Sequence, residues 1–305
     1  MPYAVLFPGQ GSQFVGMGED VFAARPDLLV DVADDVLGWS LRDVCAAGPE
    51  DDLTRTDRAQ PALYAVAYAL WEAFAAAAAA PAAAAGHSLG EYTALAAAGA
   101  LDYAAGLRLV AARGAAMANA AGQVDSGMAA LIGADEDAAE TLVAACRSGG
   151  GALWVANLNA PGQVVIAGAT TDIEWASDHA AEFGVRRVIP LKVAGAFHSP
   201  LMAPATADLE ASLSATHLGE PRFAVWANAD AAPVTDPADA LRRQLTSPVR
   251  FAASLEGMAA SGIDTFVHIG PGEVTAGLAR RTVPGAAVHV VATLEDVPAV
   301  AAVVQ

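Results

Sequence analysis

A glycine-flanked serine constrains this chain more than any other feature of its sequence. Residues 86–90 read Gly-His-Ser-Leu-Gly and stand between an apolar run, 81–85, and a helical pattern, 89–98. This pattern between a strand and a helix is typical of a nucleophile elbow, where small neighbours leave the serine Oγ exposed. The N–H groups and positive dipole end of the helix would stabilise an oxyanion there. The pattern therefore predicts an acyl-enzyme at Ser88.

The charge balance excludes one class of partner. The 305 residues include 34 acidic and 16 basic ones, which gives a formal net charge of -18. Binding of nucleic acid needs basic surface that neutralises phosphates, so we expect no nucleic-acid partner. The uncharged runs 73–90 and 148–171 are interrupted by proline, asparagine or glycine, so we expect no membrane span.

The two cysteines indicate the redox compartment. Cys45 and Cys146 have the spacing of neither a disulfide framework nor a metal site. Reduced thiols are typical of cytoplasmic proteins, and residues 1–6 lack the basic start of a signal peptide. We therefore expect a cytoplasmic monomer that binds no metal.

Alternating strand and helix patterns indicate a large α/β domain. A strand pattern at 3–7 ends in a glycine-rich loop, and strand and helix patterns then alternate, which predicts a mostly parallel sheet covered on both faces. Between 123 and 193 the order is strand, helix, strand, strand, helix, strand, which is typical of a ferredoxin-like α+β domain. We therefore predict an α/β-hydrolase-like domain from 1–122 and 194–305, with a small ferredoxin-like domain, 123–193, inserted into it.

A serine nucleophile needs a base, and two of the six histidines are well placed to act as one. His198 stands where the chain re-enters the large domain, and such a junction is typical of a cleft. His268 lies in a late strand pattern, as the catalytic histidine of many serine hydrolases does. The residues alone favour His198 only modestly. His87, inside the elbow, is expected to point away from Ser88.

Arg113 is expected on the buried face of a helix over 102–119. Its neighbours on that face are Leu109, Val110 and Met117. An isolated buried charge is costly, so the guanidinium needs an anionic partner. That partner is either an internal carboxylate or the carboxylate of a substrate held by two parallel hydrogen bonds.

Six motifs, taken together and in order, carry a family resemblance. They are Phe7-Pro-Gly-Gln-Gly-Ser-Gln13, Gly86-His-Ser-Leu-Gly-Glu-Tyr92, Arg113, Asn159-Ala-Pro-Gly-Gln-Val, Ala196-Phe-His-Ser and Val267-His-Ile-Gly-Pro-Gly272. The set resembles the malonyl-CoA:acyl carrier protein transacylase family, which includes the fatty-acid enzyme and the acyltransferases of polyketide synthases. The resemblance covers roughly residues 3–295. It implies transfer of a malonyl group from malonyl-CoA to the phosphopantetheine thiol of an acyl carrier protein, without a bound cofactor.

The resemblance also assigns the catalytic roles. Ser88 matches the family nucleophile, and His198 matches its general base. The imidazole is expected to be oriented by a main-chain carbonyl near Gln244 rather than by an aspartate. The backbone N–H groups of Gln10 and Leu89 match the oxyanion hole, whose donors stabilise the charge that develops on a thioester carbonyl.

Four residues are expected to contact the substrate. Arg113 matches the clamp on the malonyl carboxylate, and Asn159 lies in the matching loop near the entrance. Gln244 matches a further substrate contact. Phe197 is typical of malonyl-selecting relatives, because a bulky ring fills the space that an α-methyl group needs. One pocket methyl changes selectivity by only about 1–3 kcal/mol, so minor acceptance of larger units is expected.

The carrier protein is expected to dock on a local cationic rim. Acyl carrier proteins are acidic and this chain is acidic too, so a productive encounter needs a positive patch. The residues predicted to form it are Arg186, Arg187, Lys192, Arg280 and Arg281. A second group, Arg242, Arg243 and Arg250, is the alternative.

Three other functions remain open at this point. A serine hydrolase acting on CoA or carrier-protein thioesters would need an aspartate and a late histidine such as His268, and would not need Arg113. An editing hydrolase of the same fold would lack the arginine. A catalytically silent docking module would not need Ser88 and His198 together.

Overall fold

The computed structural model describes residues 2–305, and its nine strands within that range form two sheets. The strands are β1 (Tyr3–Phe7), β2 (Ala83–Gly86), β3 (Ser126–Ile132), β4 (Leu153–Ala160), β5 (Gln163–Ala169), β6 (Arg187–Pro190), β7 (Ala224–Trp226), β8 (Thr265–Ile269) and β9 (Ala287–Val291).

The helices cover both sheets. They are α1 (Glu19–Ala24), α2 (Ala33–Leu37), α3 (Leu41–Ala47), α4 (Glu50–Thr54), α5 (Thr56–Ala77), α6 (Gly90–Ala97), α7 (Tyr103–Ala121), α8 (Glu136–Ser148), α9 (Thr170–His179), α10 (Ala203–Ser214), α11 (Pro237–Gln244), α12 (Phe251–Ala260), α13 (Val274–Thr282) and α14 (Val297–Val303). A π-helical segment, Asp27–Val32, precedes α2, and short 3-10 turns lie at 180–183, 200–202 and 294–296.

The larger sheet is parallel throughout, with the order β7-β2-β1-β8-β9. Its central strand β1 is buried along its whole length, as expected for a strand covered by helices on both faces. The carboxyl ends of parallel strands meet at one edge, where such sheets place their sites. The elbow follows β2 at that edge. The mostly parallel sheet predicted from the strand and helix pattern is therefore confirmed.

The smaller sheet has the antiparallel order β4-β5-β3-β6 and packs against α8 and α9. The strands and helices follow one another as predicted for a ferredoxin-like unit. The predicted boundaries at 123 and 193 stay a prediction. Two backbone hydrogen bonds join β4 to the larger body: Val249 N–H donates to Ala156 O at 2.8 Å, and Leu158 N–H donates to Val249 O at 2.8 Å.

Helices α5 and α7 pack closely and carry two of the residues around the serine. Gly114 on α7 allows the approach, because a Cβ there would lie 2.8 Å from the Thr56 carbonyl oxygen. The Asp102 side chain caps α7 by accepting a hydrogen bond from Ala105 N–H at 3.0 Å. Gln60 on α5 thereby meets Arg113 on α7 in the interior.

Candidate active site

Ser88 lies at a strained turn between β2 and α6. Its φ is +50°, a left-handed conformation that is uncommon for residues other than glycine and that is typical of functional sites. Gly86 and Gly90 face each other across the turn, and a Cβ on either would clash with backbone atoms. The glycines of the motif are therefore required by close backbone packing, and the serine hydroxyl points into a cavity.

The serine hydroxyl contacts His198. Ser88 Oγ lies 2.7 Å from His198 Nε2, and His198 Nδ1 lies 3.0 Å from the carbonyl oxygen of Gln244. A carbonyl only accepts, so Nδ1 carries the proton, and Nε2 is left to accept the hydrogen bond that the serine hydroxyl donates. The structure thus brings together Ser88, His198 and a main-chain carbonyl in the arrangement expected of a Ser-His dyad.

His198 is held as a neutral base. Burial, followed by the positive charge of Arg113, lowers the pKa of His198 to about 3. The residue has a φ of +57°, so the backbone at the chain's return to the larger sheet is also strained. The imidazole therefore keeps a free lone pair at Nε2 throughout the neutral pH range.

Arg113 is buried beside the serine with only neutral partners. Its Nη2 donates to Ser88 Oγ at 3.1 Å and to Gln244 Oε1 at 2.9 Å, and its Nη1 donates to Gln60 Oε1 at 2.6 Å. The ring of Tyr92 lies 5.3 Å from its Cζ. Within residues 2–305 Arg113 forms no ion pair, so the internal salt bridge considered above is not present. Its hydrogen bonds therefore go to neutral side chains, and no carboxylate contacts this buried cation directly in the described residues.

The cavity above the serine is about 210 Å³ and lies under the smaller sheet. Phe197, Met117, Met128 and Val165 provide its apolar lining, and Lys192 lies at its mouth. Gln10 and Leu89 line it near the serine. The Leu89 N–H stands just before the first turn of α6, where N–H groups lack intrahelical acceptors. The Gln10 side chain is tied to α5 through the Thr56 hydroxyl at 3.4 Å.

Asn159 was expected in a loop near the entrance; it lines the cavity, but as a residue of a strand and not of a loop. It lies in β4, because the hairpin strand extends three residues beyond the apolar segment that the sequence pattern indicated. Its Oδ1 accepts a hydrogen bond from His87 Nε2 at 2.7 Å. His87 also packs edge-on against Phe251, so its ring is turned toward β4 and, as expected, away from the serine.

His268 is not placed to serve Ser88. Its Nδ1 lies 2.5 Å from the Thr275 hydroxyl and its Nε2 lies 3.1 Å from the Gly270 carbonyl. Both ring nitrogens are therefore used by the segment that leads from β8 into α13. Burial lowers the pKa of His268 to about 4. This histidine does not line the cavity, which removes the late base that a serine hydrolase would need.

Three residues around the serine were not among the predicted site residues. Asn228, after β7, accepts from Ser88 N–H at 2.7 Å and donates to the Gly86 carbonyl at 2.7 Å. Gln60 holds Arg113, and Glu91 accepts from the Gln244 amide at 2.8 Å. Asn228 and Gln60 are distant from the elbow in the sequence, and only the folding of the chain brings them to it. Glu91 directly follows the elbow motif and offered the one available signal.

The predicted docking residues Arg186, Arg187, Lys192, Arg280 and Arg281 are all exposed. Arg280 pairs with Glu273 at 3.4 Å, and the other four form no ion pair in the described part of the chain. By contrast, each residue of the alternative group is paired: Arg242 with Glu210, Arg243 with Asp230, and Arg250 with Glu136.

Comparison with known proteins identifies the family. The model of the acyl transferase domain matches residues 5–299. This chain belongs to the acyl transferase domain family. The acyl transferase fold has close structural relatives: an acyl carrier protein S-malonyltransferase from Vibrio cholerae is 38% identical, with a TM-score of 0.92 over 98% of this chain and 100% of that one.

Other relatives of this acyl transferase are named for their activities. The malonyl CoA-acyl carrier protein transacylase of Bacillus subtilis is 42% identical over 91% of this chain and 89% of its own length. A malonyl-transacylase solved in complex with a type II PKS acyl-carrier protein is 36% identical, with a TM-score of 0.91 over 97% of this chain and 98% of that one.

In residues 2–305 no helix is long and apolar enough to cross a membrane.

Proposed function

We propose that this protein transfers a malonyl group from malonyl-CoA to the phosphopantetheine thiol of an acyl carrier protein, through an acyl group on Ser88. One observation carries the proposal: a buried guanidinium that forms no ion pair in the described residues donates to the hydroxyl of a Ser-His dyad. A malonyl thioester has its carbonyl carbon and its carboxylate two bonds apart, so it suits a nucleophile and a cation held side by side. The names of the relatives support the same activity.

In the first half-reaction, Ser88 Oγ attacks the thioester carbonyl while its proton passes to His198 Nε2. An oxyanion forms, and the N–H groups of Gln10 and Leu89 are proposed to stabilise it. The carbon–sulfur bond then breaks, and the departing CoA thiolate takes the proton from the imidazolium. The products are malonyl-Ser88 and CoA. The second half-reaction runs the same steps in reverse, with the carrier thiol as the nucleophile.

Arg113 is proposed to bind the malonyl carboxylate and thereby to raise the basicity of His198. In the empty site the charge of Arg113 contributes to the low pKa of the imidazole. A carboxylate on the guanidinium offsets that charge, so the pKa of His198 rises when the correct acyl group is bound. Substrate selection and activation of the base are thus linked through one cation.

The remaining predicted contacts shape the acyl site. Phe197 is proposed to limit the space beside the α-carbon, since its ring is part of the apolar lining. Gln244 accepts from the same Arg113 Nη2 that contacts Ser88, and Asn159 fixes His87 beside the cavity. The carrier protein is proposed to dock at the exposed basic residues near that mouth. A cytoplasmic location belongs to the same proposal, supported by the two unbridged cysteines.

Mass spectrometry of the intact protein tests the proposal directly. After mixing with malonyl-CoA, the wild-type protein should gain one malonyl group, and added acyl carrier protein should remove it. Ser88→Ala should not be labelled, because no other nucleophile contacts His198 in the described residues. Its melting temperature should stay near that of the wild type. Malonylation of the alanine variant, or hydrolysis of the acyl group in place of transfer, would contradict the proposal.

A further inference from the structure

Glu91 is a buried carboxyl group for which the proposed transfer has no use. It lies in the first turn of α6 with no exposed surface. Its Oε2 accepts hydrogen bonds from the Gln244 side-chain amide at 2.8 Å and from Asn228 N–H at 3.0 Å. Its Oε1 is buried without a partner in residues 2–305. A carboxyl group kept in this way is costly, so its position calls for an explanation.

Gln244 connects this carboxyl group to Arg113. The Gln244 Nε2 donates both to Glu91 Oε2 and to the Ser88 carbonyl at 2.9 Å. Those two acceptors fix the orientation of the Gln244 side-chain amide. Its Oε1 then accepts a hydrogen bond from Arg113 Nη2 at 2.9 Å. Were the amide turned over, its NH₂ group would face the guanidinium. Glu91 therefore helps to keep an acceptor, rather than a donor, against the cation.

The charge of Glu91 is set within the same cluster. Burial raises the pKa of Glu91 to about 7, against the hydrogen bonds from Gln244 and Asn228 and the positive charge of Arg113. Asp230 is the other charged group that acts on it, and its negative charge raises the pKa as well. Tyr92, packed beside Arg113, stays protonated in this range because burial raises its pKa to about 12.

We propose that Glu91 is a positioning residue for the acyl carboxylate: through Gln244 it aims Arg113 into the cavity, and only its protonated form accommodates an anionic acyl group without repulsion. The inference rests on the proposed function, because it takes the acyl group to be an α-carboxyacyl unit bound at Arg113. An ionised Glu91 and a malonyl carboxylate would share a single buried cation, and like charges near one another disfavour the second ionisation. Binding of the acyl anion therefore raises the pKa of Glu91 further.

The sign of the pH effect follows from linkage. If the bound state holds the Glu91 proton more firmly than the empty state, binding takes up protons near neutral pH. Affinity for malonyl-CoA then falls as the pH rises through about 7, the pKa of the empty site. Acetyl-CoA carries the same CoA with an uncharged acyl group, so its affinity lacks this contribution.

Calorimetric binding to the Ser88→Ala protein, which cannot be acylated, tests the inference. The ratio of the acetyl-CoA to the malonyl-CoA dissociation constant should fall roughly tenfold between about pH 6 and pH 8.5, the size expected for one like-charge interaction in the interior. Glu91→Gln, which keeps an acceptor for Gln244 and loses the charge, should hold the ratio at its low-pH value throughout. Glu140→Gln, an exposed glutamate on α8, is the matched control and should keep the pH dependence.

Proton uptake gives a readout that needs no variant at position 91. Binding at pH 7, measured in two buffers of different ionisation enthalpy, should take up more protons with malonyl-CoA than with acetyl-CoA. Equal uptake, or an unchanged pH dependence in a folded Glu91→Gln protein, would overturn the role of Glu91 and leave the proposed function standing. If malonyl-CoA binds no more tightly than acetyl-CoA at any pH, both proposals fail.

Discussion

At the scale of single residues, the Ser88 hydroxyl is held between a cation and an imidazole. It accepts from Arg113 Nη2 and donates to His198 Nε2, so its two hydrogen bonds leave one lone pair for attack. The Ser88 oxygen can therefore attack a thioester carbonyl with its remaining lone pair, while its proton can pass to His198 Nε2. The roles of the two neighbours are separable by substitution.

His198→Ala should lower the rate of acylation by about 10²–10⁴-fold, the usual contribution of general acid–base catalysis. Burial, the main cause of the low pKa of His198, persists when the acyl site is filled, so at saturating malonyl-CoA the wild-type rate should stay level as the pH falls from 7 to about 5. Rapid-quench labelling with malonyl-CoA measures both. His268→Ala is the control, and a larger loss of acylation there in a folded protein would favour a hydrolase.

Arg113→Ala should remove malonyl transfer while permitting or improving acetyl transfer. An acetyl group has no carboxylate, and in the variant it no longer meets an unpaired buried cation. Competition between the two CoA thioesters, followed by mass spectrometry, gives the ratio. Equal loss of both activities, or a large drop in melting temperature, would indicate that the arginine mainly supports the fold through Gln60 and Gln244.

The residues in the named motifs could be predicted, whereas their supports could not. Ser88 and His198 stand in motifs whose local chemistry is readable, and Arg113 stood out as a charge on an apolar helix face. Asn228 and Gln60 reach the elbow from sequence positions 140 and 28 residues away from Ser88, and only the folded sheet and helices bring them there. No local pattern contains that information.

At the scale of elements, strands were predicted better than short helices. The short apolar runs at 3–7 and 265–269 predict two buried strands, and β1 and β8 have those bounds, because buried parallel strands read as short apolar runs. The sequence pattern at 26–36 predicts a single helix, whereas the structure has a π-helical segment, Asp27–Val32, followed by α2. Helices α3 and α4 went unpredicted. Each has only five to seven residues, too few to show a helical period.

Among the contacts between elements, the site depends most on the close packing of helix α5 against helix α7. Gly114→Ala should lower stability by about 1–3 kcal/mol, because the added methyl pushes against the backbone at Thr56. The shift should also loosen the Gln60–Arg113 hydrogen bond and raise the KM for malonyl-CoA. Denaturant melts and steady-state kinetics measure the two effects.

Gly277→Ala is the matched control for that substitution. Gly277 lies within α13, and a methyl group added there would meet no atom within 4 Å, so alanine should stabilise the helix by up to about 1 kcal/mol. If both variants behave alike, the α5–α7 contact is not what holds Arg113 in place.

At the scale of the whole molecule, this acidic protein must associate with an acyl carrier protein, which is acidic too. Charge reversal of Arg186 and Arg187, or of Arg280 and Arg281, should raise the apparent KM for carrier protein. Self-acylation from malonyl-CoA should change much less. The Debye length of about 8 Å at physiological salt confines the effect to a local patch. If neither variant changes the apparent KM for carrier protein, the next candidate for the docking surface is the group of Arg242, Arg243 and Arg250.

The neutral surroundings of Arg113 have a consequence for the resting protein. While Glu91 is protonated, an empty site holds a cation that no internal anion balances, and the acyl carboxylate completes that balance. The substrate is then a temporary part of the interior, and the loaded protein is the better-packed and more stable species of the two. The resting form of such an enzyme is therefore the acyl-enzyme, with the malonyl group on Ser88. It persists until the thiol of the carrier protein removes that group.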